Sequence, residues 1–211
     1  VADRQSPVAP SNNLALFPSS ILDAGRATLA HLRDRAETCQ KCPLYLAATS
    51  LVFGAGPDHP LIAFVGEGPG ENEDRQGEPF VGRSGRLLEN MLAAIGLTRN
   101  QVFITNAVLH RAPENRAPEK AEIEACAEFL VGQLRAVRPR LLVALGKTAA
   151  TALLGKEKKL EEWRGRWHVW EGVPLRVTYH PARLLREPAL KKEAWADMLA
   201  LKACLDVLGT G

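Results

Sequence analysis

"LIAFVGEGPGENEDRQGEPFVGRSGRLLENMLAAIGL", Leu61 to Leu97, decides the fold. It opens on an apolar run, passes through a stretch crowded with glycines, carboxylates and a Pro79-Phe80 pair, and closes in a helical pattern. The run "LIAFV" lacks the strict alternation of a half-exposed strand and suits a strand buried on both faces. Two more runs of this kind follow, "VFITNAV" and "RLLVALG". Helical patterns separate them. "SGRLLENMLAAIGL" begins at Ser84 or just beyond, and "APEKAEIEACAEFLVGQLRAVRP" has Pro118 near a helix start and Pro139 beyond its end. Strand and helix therefore alternate, which predicts an α/β fold with a mainly parallel central sheet and helices on both faces.

Working outward, "ILDAGRATLAHLRDRAETC" has apolar residues at helical spacing and ends at a cysteine pair, Cys39 and Cys42. Residues 1–20 carry Pro, Ser and Asn without periodicity and are expected to form a flexible leader to a single domain over 21–211. Downstream, "KTAATALLG" reads as a short helix, "WRGRWHVWEGVPLRVTYHP" as a hairpin-like pair or strand ending at His180, and "ALKKEAWADMLALKACLDVL" as the last helix. The 211 residues hold 46% hydrophobic and 24% charged residues, as ordinary globular chains do. No run has the length of a membrane-spanning helix, and the start lacks the pattern of a secretory signal, so a cytoplasmic protein with no membrane partner is expected. A net charge of +3 is compatible with a polyanionic partner and does not require one. The four cysteines do not resemble a secreted disulfide framework; "CQKC" reads better as metal ligands.

In an open α/β sheet, ligands bind beyond the carboxyl ends of the strands. Three polar clusters fall there: Gly66 to Glu73, Asn106 to His110, and His180 to Arg186. Each alone could be an ordinary turn, and their coincidence is the argument for a site. The glycine-rich loop is a poor phosphate cradle, because Pro69 removes an amide, acidic side chains would repel the anion, and neither a Walker motif nor a GxGxxG is present. It suits a neutral planar ligand better. Glycines permit close backbone approach, carboxylates line the wall, and Phe80 presents a rigid face, with core packing as its other reading.

"GEGPGENEDRQGEPFVGRSGRLL", "ITNAV", "ENRAP" and "HPARLLREP", in that order and spacing, resemble the iron–sulfur, family 4 type of uracil-DNA glycosylase. The resemblance runs from about Cys39 to the final helix. It implies a three-layer α/β/α sandwich that hydrolyses the N-glycosidic bond of uracil in single- and double-stranded DNA, as a monomer serving base excision repair. The target nucleotide must be extruded, at about a few kcal/mol, and read in a fitted pocket.

Carried over by position, the resemblance gives Gly66, Gly68, Glu73, Phe80, Asn106 and His180 to substrate binding. Phe80 stacks on the uracil ring. Asn106 offers one donor and one acceptor to O4 and N3–H, the edge where cytosine has the opposite pattern. Glu73 walls off the position of the thymine methyl. The catalytic set is Glu67, His180 and Asn115: His180 donates to uracil O2, and Glu67, helped by Asn115, orients water or stabilises the cationic sugar. Lys147, Arg183 and Arg186 face phosphates, and Leu184 is a wedge into the space left by the base. Without the resemblance, His180 reads as a turn or surface histidine, Glu67 and Glu73 as solvated loop acids, and Leu184 as a buried leucine.

The family's cluster ligands are four cysteines. Cys39, Cys42 and Cys126 match three of them, and the remaining position is His110 here, at the expected separation from Cys126. Imidazole can bind iron in iron–sulfur centres, so the resemblance implies a structural four-iron, four-sulfur cluster with three Cys and one His. Zinc, which accepts that donor set, is an alternative metal, and Cys204 an alternative fourth ligand. "NAVLH" is also similar to the related family X branch, which bonds covalently to DNA through a histidine in an inserted basic loop. "RAPENRAPEK" has no such insertion, so a monofunctional glycosylase without a covalent adduct is expected. The competing reading is a noncatalytic metal-bearing DNA-binding or redox-sensing module.

Overall fold

The computed structural model describes residues 28–209. The expected leader, residues 1–20, lies outside them. Thr28 caps the first helix, α1 (Leu29–Glu37), accepting a hydrogen bond from the His31 amide. A single turn, α2 (Leu44–Ala47), follows the cysteine pair.

Among the described residues five strands form one sheet: β1 (Ile62–Gly66), β2 (Phe103–Asn106), β3 (Leu141–Leu145), β4 (Trp167–Trp170) and β5 (Val173–Thr178). Their order is β2-β1-β3-β5-β4. All pairings are parallel except β4 with β5, a hairpin turning at Glu171 and Gly172, both at positive φ. Every residue of β1, β2 and β3 is buried, which explains the apolar runs without alternation.

Side chains of each strand still alternate between two cores. Ala63, Val65, Leu142 and Ala144 face α5 (Lys120–Val137) and α6 (Lys147–Leu154), while Ile62, Phe64, Leu141 and Val143 face α4 (Arg83–Ala94) and α9 (Lys191–Val207). The sandwich therefore has three layers. Leu32, Ala36 and Leu44 join Phe129 of α5 in a third apolar cluster that pins the N-terminal helices to the body. Two further short helices are α7 (Leu160–Trp163) and α8 (Pro181–Arg186).

The acid-rich loop departs from the sequence reading, since Glu71–Gln76 is a helix, α3. Gly70 is its N-cap, with the Gly70 amide donating back to the Glu73 carboxylate, and Gly77 ends it in the left-handed conformation. Its carboxylates have internal work. Asp74 accepts from the Thr49 and Ser50 amides at 2.9 and 3.2 Å, and Glu71 pairs with Arg75.

Candidate active site

Parallel pairing sets the chain ends of β1, β2, β3 and β5 side by side. The ladder continues past the sheet: Ala107 and Val108 donate to the carbonyls of Gly66 and Glu67 at 3.0 and 3.2 Å. Glu67 and Asn106 thereby come to line one cavity of about 650 Å³, with Phe80 and His180 also in its wall.

Phe80 sits at φ 56°, a left-handed conformation that costs an aromatic residue about 1–3 kcal/mol unless its surroundings enforce it. Here they do. Arg99 donates to the carbonyls of both Pro79 and Phe80, and the Glu73 carboxylate accepts from the amides of Gly70, Val81 and Gly82 at 3.1, 2.9 and 2.8 Å. A β-carbon on Gly85 would stand 1.8 Å from the Phe80 carbonyl oxygen, so only glycine lets α4 start against this turn. Gly66 plays the equivalent part beneath the ring: a β-carbon there would lie 2.4 Å from Asn106 Oδ1 and 2.6 Å from Phe80.

His180 is the N-cap of α8, and its Nδ1 accepts from the Ala182 amide at 3.2 Å. An N–H can only donate, so Nδ1 is the unprotonated nitrogen and Nε2 carries the hydrogen. Burial first, and then the charge of Arg186, push its pKa down to about 4, which keeps the ring neutral at physiological pH. His180 Nε2 and Asn106 Oδ1 are both buried and without a partner. Buried polar groups are nearly always satisfied, so two orphans on the wall of one cavity point to a ligand that completes them.

Gly68, Glu73, Asn115, Lys147, Arg183 and Arg186 also line the cavity. Asn115 accepts from Arg111 at 2.8 Å, and its loop is held by the Arg116–Glu122 ion pair at 2.7 Å. Lys147 is paired with Glu157 at 3.0 Å, and Arg183 lies over the Tyr179 ring between Glu161 and Glu187. Leu184 departs from the expectation of a wedge. It is 1% exposed and packed in the core, because the first turn of α8 points it inward, whereas Leu185 is 36% exposed.

Sequence reading missed two residues. Arg99 reaches the Phe80 turn from a 3₁₀ turn before β2, and Thr148 of α6 donates from Oγ1 to Glu67 Oε2. Neither belongs to a motif. Only the folded topology brings them to the site.

Cys39, Cys42, His110 and Cys126 line a second, small cavity walled by Ala36, Leu109 and Phe129. Burial pushes the Cys126 thiol up to about 12 and raises Cys42, while burial lowers the His110 imidazole. Thiol and imidazole donors from α1's end, the β2 loop and α5 suit a soft metal centre rather than a hard cation. Among the described residues, no three His, Cys, Asp or Glu side chains gather closely enough to hold a single metal ion. Cys204 packs against the other core, on α9, and is absent from this cavity.

Fold and site define a class: an α/β protein whose cavity, beyond the strand ends, presents one aromatic face and two unpaired polar groups to a planar ligand. Residues 53–199 match the family described as the Uracil DNA glycosylase superfamily. The chain is 41% identical over 174 residues to a type-4 uracil-DNA glycosylase of Archaeoglobus fulgidus, covering 76% of this chain and 84% of that one. It is 43% identical over 155 residues to that of Thermotoga maritima, covering 72% and 81%, and 39% identical over 180 residues to that of Pyrobaculum aerophilum, covering 81% and 91%. The chain belongs to the uracil-DNA glycosylase superfamily, with type-4 enzymes among its relatives.

Proposed function

We propose that the protein is a monofunctional DNA glycosylase that hydrolyses the N-glycosidic bond of uracil in single- and double-stranded DNA and acts as a monomer. The observation that carries this reading is the pair of unpartnered buried atoms, Asn106 Oδ1 and His180 Nε2, on the cavity that Phe80 walls.

The extruded base stacks on Phe80, whose fixed backbone gives a plate that needs no ordering on binding. Asn106 meets N3–H with its carbonyl and O4 with its amide. Cytosine would set donor against donor there, a mismatch able to discriminate by about 10⁴-fold or more. Glu73 bounds the methyl position, and its three amide bonds make that wall rigid. Gly66 and Gly68 leave room for the base.

Bond cleavage leaves negative charge on uracil and positive charge on the sugar. Neutral His180 donates from Nε2 to O2, where charge develops, a role whose loss costs about 10²–10³-fold. Glu67, with Asn115, orients the water and opposes the sugar's charge. Lys147 and Arg183 take flanking phosphates, exchanging their carboxylate partners for DNA, and Arg186 takes another.

Cys39, Cys42, His110 and Cys126 of the second cavity would hold a four-iron, four-sulfur cluster, a larger group than the single zinc ion for which these side chains stand too far apart. The cluster's role is structural: it ties the end of α1 to the loop that follows Asn106 at the end of β2. No helix among the described residues is long and apolar enough to cross a membrane, and a cytoplasmic location fits the proposed role.

Uracil release from labelled oligonucleotides tests the proposal. Release that disappears in His180→Ala and Glu67→Ala is expected, while DNA binding without release in the native protein would mean a noncatalytic binding module.

A further inference from the structure

Beside the Phe80 wall stands a group whose position no local feature fixes. Glu67 follows β1 in a loop, half-buried, and a carboxylate on a three-bond side chain has several rotamers open to it. One hydrogen bond selects among them. Thr148 Oγ1 donates to Glu67 Oε2 across 81 residues of sequence. Glu67 lines the cavity while Thr148 does not, so the hydroxyl approaches the carboxylate from behind.

The turn that carries Thr148 is itself fixed on the other catalytic candidate. Gly146 stands at φ 93° and donates to the Thr178 carbonyl at 2.9 Å. A β-carbon on Gly146 would lie 3.1 Å from His180 Cβ. One turn between β3 and α6 therefore backs His180 at Gly146 and grips Glu67 at Thr148. The threonine χ1 is stiff, being β-branched, so its hydroxyl is a defined anchor rather than a mobile donor.

We propose that Thr148 is a positioning residue that holds the Glu67 carboxylate toward the cavity, registering it against His180 through the β3–α6 turn. The inference rests on the reading of Glu67 as the residue that orients water. Thr148 touches neither base nor sugar. It occupies one carboxylate oxygen and leaves the other for water. Removing the hydroxyl frees the carboxylate to rotate, and a misplacement of about 1 Å can cost about 10²-fold in rate.

The test is single-turnover uracil release and DNA affinity for Thr148→Val, Thr148→Ser, Glu67→Gln and the Thr148→Val/Glu67→Gln double variant, each checked by thermal melting. Thr148→Val is expected to slow release about 10- to 100-fold with DNA affinity unchanged, and Thr148→Ser to restore most of the rate. In the Glu67→Gln background Thr148→Val is expected to add nothing, because the group it positions is already gone. If Thr148→Val does not fold, Thr148→Ala carries the same comparison. A slow Glu67→Gln with a native-rate Thr148→Val, or losses that multiply in the double variant, overturns the positioning role and leaves the Glu67 reading standing. A native rate in Glu67→Gln removes that reading, and the inference with it.

Discussion

The ring centroids of Phe80 and His180 lie 5.5 Å apart, with their planes inclined by 35°. Phe80 comes from the turn before α4 and His180 from the cap of α8, so the two helices set the width and angle of the pocket between them. A planar base lying on the phenyl face presents its edge to the imidazole. Both rings are held by backbone devices, a left-handed turn and an N-cap, rather than by side-chain packing alone.

In the proposed complex Asn106 tells uracil from cytosine. Asn106→Asp replaces the donor by a second acceptor, so uracil O4 faces an oxygen and the amino group of cytosine finds one. Uracil release is expected to fall by about 10²-fold or more, and the uracil-to-cytosine preference to narrow, in parallel assays on matched oligonucleotides.

His180 makes stability depend on pH. Its folded pKa of about 4 lies below the ordinary 6.5, so between these values the unfolded chain binds a proton that the folded chain does not. The contribution is complete above about pH 6.5, shrinks as pH falls and is gone below about pH 4, worth about 3 kcal/mol in all. Denaturant melts from pH 7 to 4 are expected to show a shallower acid loss for His180→Asn than for the native protein. The native rate of uracil release, in turn, is expected to show no inflection at pH 6.5 from this residue.

Arg99 holds the carbonyls on both sides of the Phe80 amide. Arg99→Met keeps the aliphatic stem and removes both bonds to a strained turn, so Phe80 loses its fixed orientation. Uracil release per unit substrate is expected to fall about 10-fold while the fold survives, measured as kcat/KM beside a circular-dichroism melt.

The second cavity makes a separable prediction. Cys126→Ala is expected to lower bound metal and the melting temperature together, because the thiol is buried and linked to the helices that close the cavity. His110→Cys is expected to keep metal, and its reduction potential to fall relative to the native centre, as thiolate replaces imidazole. Iron, zinc and sulfide content with visible absorbance reads both variants.

Much of this fold is legible in the chain. Three of the four parallel strands announce themselves because burial on both faces removes polar residues from them, as in Ile62–Gly66 and Leu141–Leu145. Helix α3 escapes notice because every residue of Glu71–Gln76 is polar and its stabilising bonds come from glycine caps and from the segment at Thr49 and Ser50. The motif residues Asn106 and His180 reach one cavity because strand ends lie side by side in a parallel sheet, and the bonds of Arg99 and the close packing on Gly85 set the Phe80 turn beside them. Arg99 and Thr148 carry no such signal, since each acts through hydrogen bonds to residues remote in sequence. Leu184 shows the reverse limit: position in a motif does not fix which face of a helix a side chain takes.

A structure of the protein with uracil bound tests the central claim most directly. The account predicts the base lying against Phe80, with Asn106 on its N3–O4 edge and His180 Nε2 within hydrogen-bonding reach of O2. Uracil bound outside this cavity, or inside it with Asn106 and His180 still unpartnered, would contradict it.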